Sequence, residues 1–351
     1  MTGEELSKQV KSGEFFHEED FSGMDCRGVD LSGGIFSEVC FNNCDFTGAN
    51  LKETTFNECT FKNALFSQTD LKEANLVKCS LDKSTFREAV CEFTKFVECE
   101  MAGVDFSNTR LPEMCVFSDS NLDSAVFMGS NLDTVVFNSC KMQKVDLSGA
   151  NLYKTTFYEC EFENNIFTDA SIRLSLFNGA VFEGTDFSNM DLTQCQFRES
   201  ALNNCNFSNT KLKQGGFTGA ALKNSNFDNA YLEVANFYEA DLQDSSFKKA
   251  NMKMASMQKA KLSGSDFSSA NLYQAQMEGI EAEGSSFSGA DLTYADLSHA
   301  NITNSDFSKA NLYFANLHEA NDEKTVWRGA SKVLTRGTDK KRLKAEQWGK
   351  K

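Results

Sequence analysis

The chain has 351 residues, twelve cysteines, one proline and a formal net charge of −15 at pH 7. Acidic side chains outnumber basic ones by 50 to 35, which argues against nucleic-acid binding through the overall charge. The polar N-terminus has neither the apolar stretch of a signal peptide nor a membrane span, so we expect a cytoplasmic protein without membrane contact.

The first residues predict a short helix that caps one end of the fold. Thr2 and Glu5 have the spacing of a capping box, which indicates a helix over residues 3–12. Phe15 and Phe16 follow it and are expected to plug the core. A cap of this kind would cover unpaired strand edges, which otherwise recruit further chains.

An apolar residue then falls at every fifth position. The period runs from Phe21 to Leu111 over nineteen positions, and from Phe117 to Leu317 over forty-one. Five matches neither the helical period of 3.6 nor the strand period of 2. A fixed period of this kind indicates a solenoid, in which each unit buries its apolar face against the next.

A longer period of twenty residues is superimposed on the first. Every fourth apolar position from Phe46 is Phe with one exception, Leu147, and the set offset by ten residues is nearly all Phe. The sets between them are mostly Leu. A coil of twenty residues with four short sides would therefore stack Phe on Phe along two opposite faces. The predicted core ladder consists of Phe46, Phe66, Phe86, Phe106, Phe127, Phe167, Phe187, Phe207, Phe227, Phe247, Phe267, Phe287 and Phe307.

Several units resemble the pentapeptide-repeat motif, Ala-Asp/Asn-Leu-x-x. Examples are Ala49-Asn50-Leu51, Ala150-Asn151-Leu152, Ala270-Asn271-Leu272 and Ala310-Asn311-Leu312. The resemblance extends over about residues 21–321 and implies an all-β fold, a right-handed quadrilateral parallel β-helix with short terminal caps. At four sides per coil the sixty apolar positions make about 15 coils, or a rod of about 70 Å at the strand spacing. The apolar residue and the small residue two before it are expected to point inward.

Two irregularities interrupt the repeat. One extra residue at 112–116 leaves the order of the faces unchanged, which predicts a bulge or corner loop stiffened by Pro112 rather than a domain boundary. Around residues 277–284 the repeat weakens, and Ala282 takes a core position. That coil is interpreted either as sequence drift or as a partner-binding distortion. The candidate interaction irregularities are Pro112, Glu113, Glu281, Glu283 and, near the C-terminus, Trp348.

The C-terminal segment differs from the repeat in charge. Residues 322–351 hold ten basic and four acidic side chains, a net of +6, whereas the first 321 residues carry −21. Val326 and Trp327 are expected to close the core, and a partial helix is expected around Arg342 to Trp348. The tail can fold onto the repeat, reach a partner or be disordered, with disorder the default. The predicted organisation is a cap at 1–20, a repeat at 21–321 and a cap with a basic tail at 322–351.

The cysteines and histidines indicate neither a metal site nor catalysis. Eight cysteines occupy the small inward site, among them Cys59, Cys79 and Cys99, where stacking at about 4.8 Å is unsuited to a disulfide. We therefore expect reduced thiols in a reducing compartment. The histidines lie near the cap or, as His299 and His318, at outward positions, with no nucleophile beside them. We expect no enzyme activity, metal or cofactor.

Two classes of function fit this pattern best. The first is a rigid acidic module that binds a protein as an adaptor or scaffold, a basic protein being one such partner, without nucleic-acid binding along the rod. The second follows from the resemblance, because some pentapeptide-repeat proteins are DNA mimics that bind type II topoisomerases such as gyrase. A third, also from the resemblance, is a cargo or adaptor of bacterial secretion. The greater length and the basic C-terminus depart from the DNA mimics, and the sequence does not specify the oligomeric state.

Overall fold

The computed structural model describes residues 1–111 and 114–348, and it divides into two compact units. Unit 1 comprises Met1–Val181 and unit 2 comprises Phe182–Lys351. Each unit is described by itself. The predicted boundaries of the cap, repeat and tail segments stay a prediction.

Unit 1 contains one helix and ten parallel strands of three residues. The helix is α1, Gly3–Lys11. The strands are β1 Phe15–His17, β2 Ile35–Ser37, β3 Thr55–Asn57, β4 Asn75–Val77, β5 Lys95–Val97, β6 Val116–Ser118, β7 Val136–Asn138, β8 Lys141–Gln143, β9 Thr156–Tyr158 and β10 Glu161–Glu163. Eight form one sheet in the order β1-β2-β3-β4-β5-β6-β7-β9, and β8 pairs with β10. Unit 2 is built from isolated parallel bridges and ends in helix α2, Lys340–Gln347.

Residues twenty positions apart lie side by side in successive coils. In unit 1, Phe36 pairs with Phe56, and in unit 2, Asn226 bridges to Ser246. Backbone N–H groups donate hydrogen bonds to carbonyls of the next coil in the chain, as the Phe227 N–H does to the Ser246 carbonyl at 2.7 Å. These contacts confirm the predicted parallel β-solenoid in both units.

The centre of each side points inward and stacks on its counterpart in the next coil. Phe46 and Phe66 stack with ring centroids 5.1 Å apart, and Phe207 and Phe227 with centroids 4.7 Å apart. All thirteen phenylalanines of the predicted ladder are buried. Neighbouring sides meet edge to face, as Phe217 does with Phe227 at 88°. Both arrangements are favoured geometries for aromatic pairs.

A tight turn joins each side to the next. In the turn after Phe46, the Ala49 N–H donates to the Phe46 carbonyl at 2.8 Å, and the intervening Gly48 has φ +68°. A left-handed residue at this third position is what a type II turn requires. Most coils place a residue with positive φ two positions after the centre of each side, with its side chain directed outward. Packing in the core therefore restricts the type of residue at the centre and at the small site. The positive φ restricts the type of residue at this corner position.

The ladder of unit 1 continues across the extra residue of the sequence near position 112. Phe96 pairs with Phe117, twenty-one residues away, so the ladder continues in order. Met114 takes the left-handed corner position with φ +58°, and Cys115 fills the small inward site. Pro112 and Glu113, on which the predicted bulge depends, lie outside the described residues.

Helix α1 covers the first coil of unit 1. Thr2 and Glu5 form the predicted capping box, and Leu6 is fully buried. Phe16 is buried and stacks on the next coil, but Phe15 is 56% exposed, so the prediction that both plug the core was wrong for Phe15. Successive strand residues point to opposite faces, and β1 can turn only one of the two rings inward.

The last coils of unit 2 differ from the prediction in two respects. Trp327 packs on Phe307 with ring centroids 4.8 Å apart, but Val326 is 46% exposed because it occupies the outward position beside that tryptophan. Disorder, the default expectation for the tail, was wrong for residues 340–347, because the partial helix expected around Arg342 to Trp348 is present as α2, Lys340–Gln347, with Asp339 as its N-cap.

The weak coil around residues 277–284 is regular in the structure. Met277 and Ala282 are fully buried, and the Ala282 N–H bonds to the Asn301 carbonyl at 2.8 Å. The backbone is continuous there, which fits sequence drift, and the alternative of a local distortion is not seen.

Candidate interaction surfaces

The cysteines belong to the core rather than to a reactive site. All twelve are free, and all but Cys40 are buried. The Cys44 thiol donates to the Phe21 carbonyl of the previous coil, and threonine does the same at this site, as Thr69 does to Phe46. Burial raises the pKa of Cys205 to about 12. Because the thiolate is the reactive form, such a thiol is a poor nucleophile at neutral pH.

Helix α2 is held against the coils of unit 2 by a cluster around Glu346. Its Oε2 atom lies 3.3 Å from Nε2 of His318 and 3.4 Å from Nε2 of His299. Both histidines were expected at outward positions, but His318 is only 2% exposed because α2 covers it. The hydrogen bond from Arg342, followed by that from His318, lowers the pKa of Glu346.

Two imidazoles and a carboxylate could in principle hold a transition metal. The hydrogen bonds of His318 argue otherwise. The Asp339 backbone N–H donates to Nδ1 of His318 at 3.0 Å, so Nδ1 is an acceptor and Nε2 carries the proton of the neutral ring. Nε2 then donates to Glu346 instead of offering a lone pair to a metal. The cluster fits a latch for α2 better than a metal centre.

Part of the acidic surface is paired with basic side chains one coil away. Examples are Lys52 with Asp70 at 2.9 Å in unit 1 and Lys223 with Asp241 at 3.3 Å in unit 2. Other acids have no such partner among the described residues. One corner of unit 1 carries exposed glutamates in three successive coils, at Glu18, Glu38 and Glu58, and again at Glu98 beyond Lys78. His17 lies near Glu38, with Nδ1 and Oε1 4.0 Å apart.

One corner of unit 2 is apolar, which the sequence pattern did not predict. Five of its left-handed positions hold large apolar residues, and we call these, with their neighbours Tyr273, Tyr313 and Val333, the apolar corner. The five are Val234, Met254, Tyr294, Phe314 and Leu334. Over the described part of unit 2, the left-handed positions of the other three corners hold only glycine or polar and charged residues. The sequence could have revealed this corner at one position, the residue two places after the centre of the sides whose central residue is mostly Leu. That residue is large and apolar in the five coils named above.

Aromatic rings of the apolar corner contact one another from coil to coil. Tyr294 and Phe314 stack with centroids 5.3 Å apart and an interplanar angle of 6°. Tyr273 meets Tyr294 edge on at 5.9 Å, and Tyr313 meets Phe314 edge on at 4.6 Å. Tyr294 remains 45% exposed and Tyr313 37% exposed. The rings form a continuous, partly open surface.

Unit 1 has a smaller apolar patch at the equivalent corner position. Phe93 and Met114 both have positive φ, at 55° and 58°, and are 37% and 61% exposed. They line an open depression of about 540 Å³ together with Glu73, Asn75, Lys95 and Val116. Met114 directly follows the two residues outside the described part of the chain.

Three of the predicted irregularities, Glu281, Glu283 and Trp348, lie among the described residues of unit 2. Glu281 and Glu283 are exposed on a regular coil, and Trp348 is 92% exposed at the end of α2. Pro112 and Glu113 lie outside the described residues.

Comparison with family models assigns the class of protein. The model "Pentapeptide repeat region" matches residues 91–167 and 220–297, and "Pentapeptide repeats (8 copies)" matches 175–214 and 285–321. The chain belongs to the pentapeptide repeat family. A third model, "SV2A/B/C luminal domain", matches residues 4–86.

Solved structures of the family resemble the chain at low identity. HetL, a pentapeptide repeat protein involved in heterocyst differentiation regulation in the cyanobacterium Nostoc sp. strain PCC 7120, is 19% identical, covering 73% of this chain and 86% of HetL with a TM-score of 0.28. QnrB1, a plasmid-mediated fluoroquinolone resistance protein, is 18% identical over 64% of this chain and 95% of its own, with a TM-score of 0.24. A pentapeptide repeat protein of the Arabidopsis thaliana thylakoid lumen is 31% identical over 28% of this chain and 64% of its own, with a TM-score of 0.22.

No curated protein matches the chain. Neither described helix has the length and hydrophobicity that a bilayer crossing requires.

Proposed function

We propose that the chain is a non-enzymatic protein-interaction module, an adaptor or scaffold that acts through the outward side chains of its coils. The observation that carries this proposal is the contrast between the two sets of positions. Inward positions repeat Phe, Leu and small residues from coil to coil, whereas outward positions differ from corner to corner. Solenoids use such surfaces to present side chains at a fixed spacing.

The acidic balance supports a partner with basic groups. The first 321 residues carry −21, and although several acids pair with lysine one coil away, others among the described residues are exposed without such a partner. Electrostatic complementarity accelerates encounter between proteins and disfavours partners of like charge. We propose cytoplasmic action for this module, in keeping with its many free thiols.

Capture from a lysate of the source cells tests the proposal. The full chain is immobilised, bound proteins are eluted with a salt gradient, and a heat-denatured sample serves as the control. We expect a partner that elutes from the folded chain alone. Equal recovery from the folded and the denatured chain would contradict an interaction made by the ordered surface.

A second candidate is a DNA mimic that binds a type II topoisomerase. One observation favours it: Glu18, Glu38 and Glu58 place exposed carboxylates at the same corner position of three successive coils of unit 1, and Glu98 follows beyond Lys78. Spacing of like charges along a surface is also a property of the DNA backbone. In a gyrase supercoiling assay, a mimic should inhibit or protect the enzyme and lose its effect as salt rises. Supercoiling that is indifferent to micromolar protein at low salt would exclude this candidate.

A further inference from the structure

The residues of the apolar corner are poorly suited to their backbone conformation. Val234 has φ +59° and Tyr294 has φ +58°, in a region that β-branched and bulky residues rarely adopt. In the other corners of unit 2 the same turn is made by residues such as Asn229 and Gly289. The turn therefore does not require a large side chain. The backbone strain at Val234 and Tyr294 is not explained by the turn itself.

Burial within the chain does not account for these side chains either. Val234 is 45% exposed, Met254 48% and Leu334 57%. Gln274 occupies the left-handed position between Met254 and Tyr294, so the corner has two apolar parts, Val234 with Met254 and the ring group with Leu334. Exposed apolar patches on a soluble protein commonly mark an interaction site. The turns below it are well ordered, since the Tyr294 N–H bonds to the Tyr313 carbonyl at 2.9 Å and the Ala295 N–H closes its turn on Leu292 at 2.9 Å. The surface is thus held in place without a partner.

The stretch of chain that carries Tyr294 is acidic. Residues 262–308 contain seven acidic side chains and no lysine or arginine, whereas Lys253 and Lys332, outside this stretch, adjoin Met254 and Val333 of the apolar corner. Asp291 and Asp296 lie on either side of Tyr294 in the sequence, and their hydrogen bonds among the described residues all end on Oδ1. The Oδ2 atoms remain available to a donor.

Cationic groups already approach this region from within the chain. The Lys253 ammonium lies 5.4 Å from the centroid of the Tyr273 ring. The pKa of Arg342 in α2 is raised first by its bond to Glu346 and then by nearby charges that include Asp296 and Glu278. A guanidinium suits rings beside carboxylates best, because it stacks on an aromatic face while its N–H groups, fixed in the same plane, donate to a carboxylate oxygen at the edge.

We propose that the apolar corner of unit 2 is the docking surface for an arginine-bearing segment of a partner protein. The guanidinium groups stack on Tyr294 and Phe314 and bond the free oxygen of Asp291, while Val234, Met254 and Leu334 contact the aliphatic parts of the segment. This inference rests on the proposed interaction function and names the surface and the chemistry of its partner.

Binding of two synthetic peptides to the full chain tests the inference. The probes are labelled 12-residue peptides with arginine or lysine at alternate positions and glycine between, measured by fluorescence anisotropy at low salt. We expect the arginine peptide to bind about fivefold to tenfold more tightly, because lysine lacks the planar fork and stacks less well. Equal affinity for the two peptides would overturn the inference.

A matched pair of variants locates the site. In Y294N/F314N the rings are replaced by a residue that tolerates left-handed φ, so the fold is retained. We expect this variant to lose about tenfold in affinity for the arginine peptide and to lose the preference over lysine. The control, E199N/E239N, removes charge at left-handed positions of another corner and should weaken both peptides equally. Unchanged arginine binding by Y294N/F314N would refute the assignment.

Two further outcomes separate this inference from the broader proposal. If a cellular partner is still captured by Y294N/F314N, the interaction function stands and the apolar corner is not its site. If the native chain self-associates in sedimentation and Y294N/F314N does not, the occupant is a second copy, and the arginine proposal is wrong.

Discussion

The residue two positions after the centre of each side is subject to a different constraint from its neighbours. Its backbone φ is positive, so glycine and asparagine are favoured, yet its side chain points away from the core. A bulky residue at this position lowers stability without filling any space inside. Residues other than glycine and asparagine at this position are therefore the informative ones. In unit 2 the large apolar residues at this position all lie in one corner.

Replacing Val234 by Asn should raise the stability of the protein. Val234 has φ +59°, and relief of the left-handed strain is worth about 1 kcal/mol. The reciprocal change, Asn229→Val, alters a residue with the same φ of 59° in another corner and should lower stability by about as much. Urea unfolding of both variants measures the difference. A loss of stability in V234N would show that valine packs usefully there.

The core ladder permits a second prediction at this scale. Phe207 is fully buried and stacks on Phe187 and Phe227 at 5.0 and 4.7 Å. Phe207→Ala should reduce the free energy of unfolding by about 3–5 kcal/mol through lost burial and the cavity left behind. Phe15→Ala is the control, because that ring is 56% exposed and should cost less than about 1 kcal/mol. Equal effects in calorimetry would contradict the assignment of the core.

Among the elements, α1 could be predicted and the docking of α2 could not. The signal for α1 is local, since Thr2 and Glu5 bond each other across three residues. The docking of α2 depends on contacts between distant residues, such as His318 with Asp339 and Glu346, and no periodicity links them. The errors at Phe15 and Val326 have another cause, because a pair of adjacent apolar residues does not specify which one faces inward.

The α2 latch should depend on the carboxylate of Glu346. Glu346→Gln removes the charge that bonds Arg342 at 2.6 Å and accepts from His318, so we expect faster amide exchange over Lys340–Gln347 and unchanged exchange in the coils. Glu323→Gln is the control, since Glu323 pairs only with adjacent Lys324 among the described residues. Similar exchange in α2 of both variants would exclude the latch.

Acid should release the same helix. The pKa values of Asp339 and Glu346 are both lowered, the first by the backbone N–H groups of Lys341 and Arg342 and the second chiefly by Arg342. A carboxyl whose folded pKa is lowered stabilises the docked form above its ordinary value, here 4.5 for Glu346, and this contribution is lost as pH falls through the lowered value. Protection of α2 amides, corrected for intrinsic exchange, should thus persist to about pH 4.5 and decline below it. Decline that begins well above pH 4.5 would contradict the assignment of the latch to these carboxyls.

For the molecule as a whole, the fold could be predicted because one pattern is repeated some sixty times, so that a local exception such as Ala282 does not obscure it. The candidate surface could not, because the core pattern leaves outward residues free to vary. Only the backbone of the structure identifies which outward residues are strained. Each coil forms backbone hydrogen bonds with the coils next to it, so the free energy of unfolding should rise with the number of coils.

Removal of one whole coil from unit 2 tests this modularity. Deleting residues 241–260 brings Phe267 over Phe227 and preserves every face, so we expect a folded protein with a modest loss of stability. Deleting only residues 241–245 retains the period of five but shifts Phe247 by one side and leaves one coil with three sides. Circular dichroism and cooperative unfolding should survive the longer deletion better than the shorter one. The reverse order would contradict a four-sided coil.

The strained turns of the apolar corner also have an evolutionary consequence. Under selection for stability alone, mutation should replace Val234, Tyr294 and Phe314 with asparagine or glycine, because either residue relieves the turn. Their retention would then record continuing selection by a partner. Homologues that share the partner should keep bulky side chains along this one corner while the other three drift, and a lineage that has lost the partner should revert at these positions first.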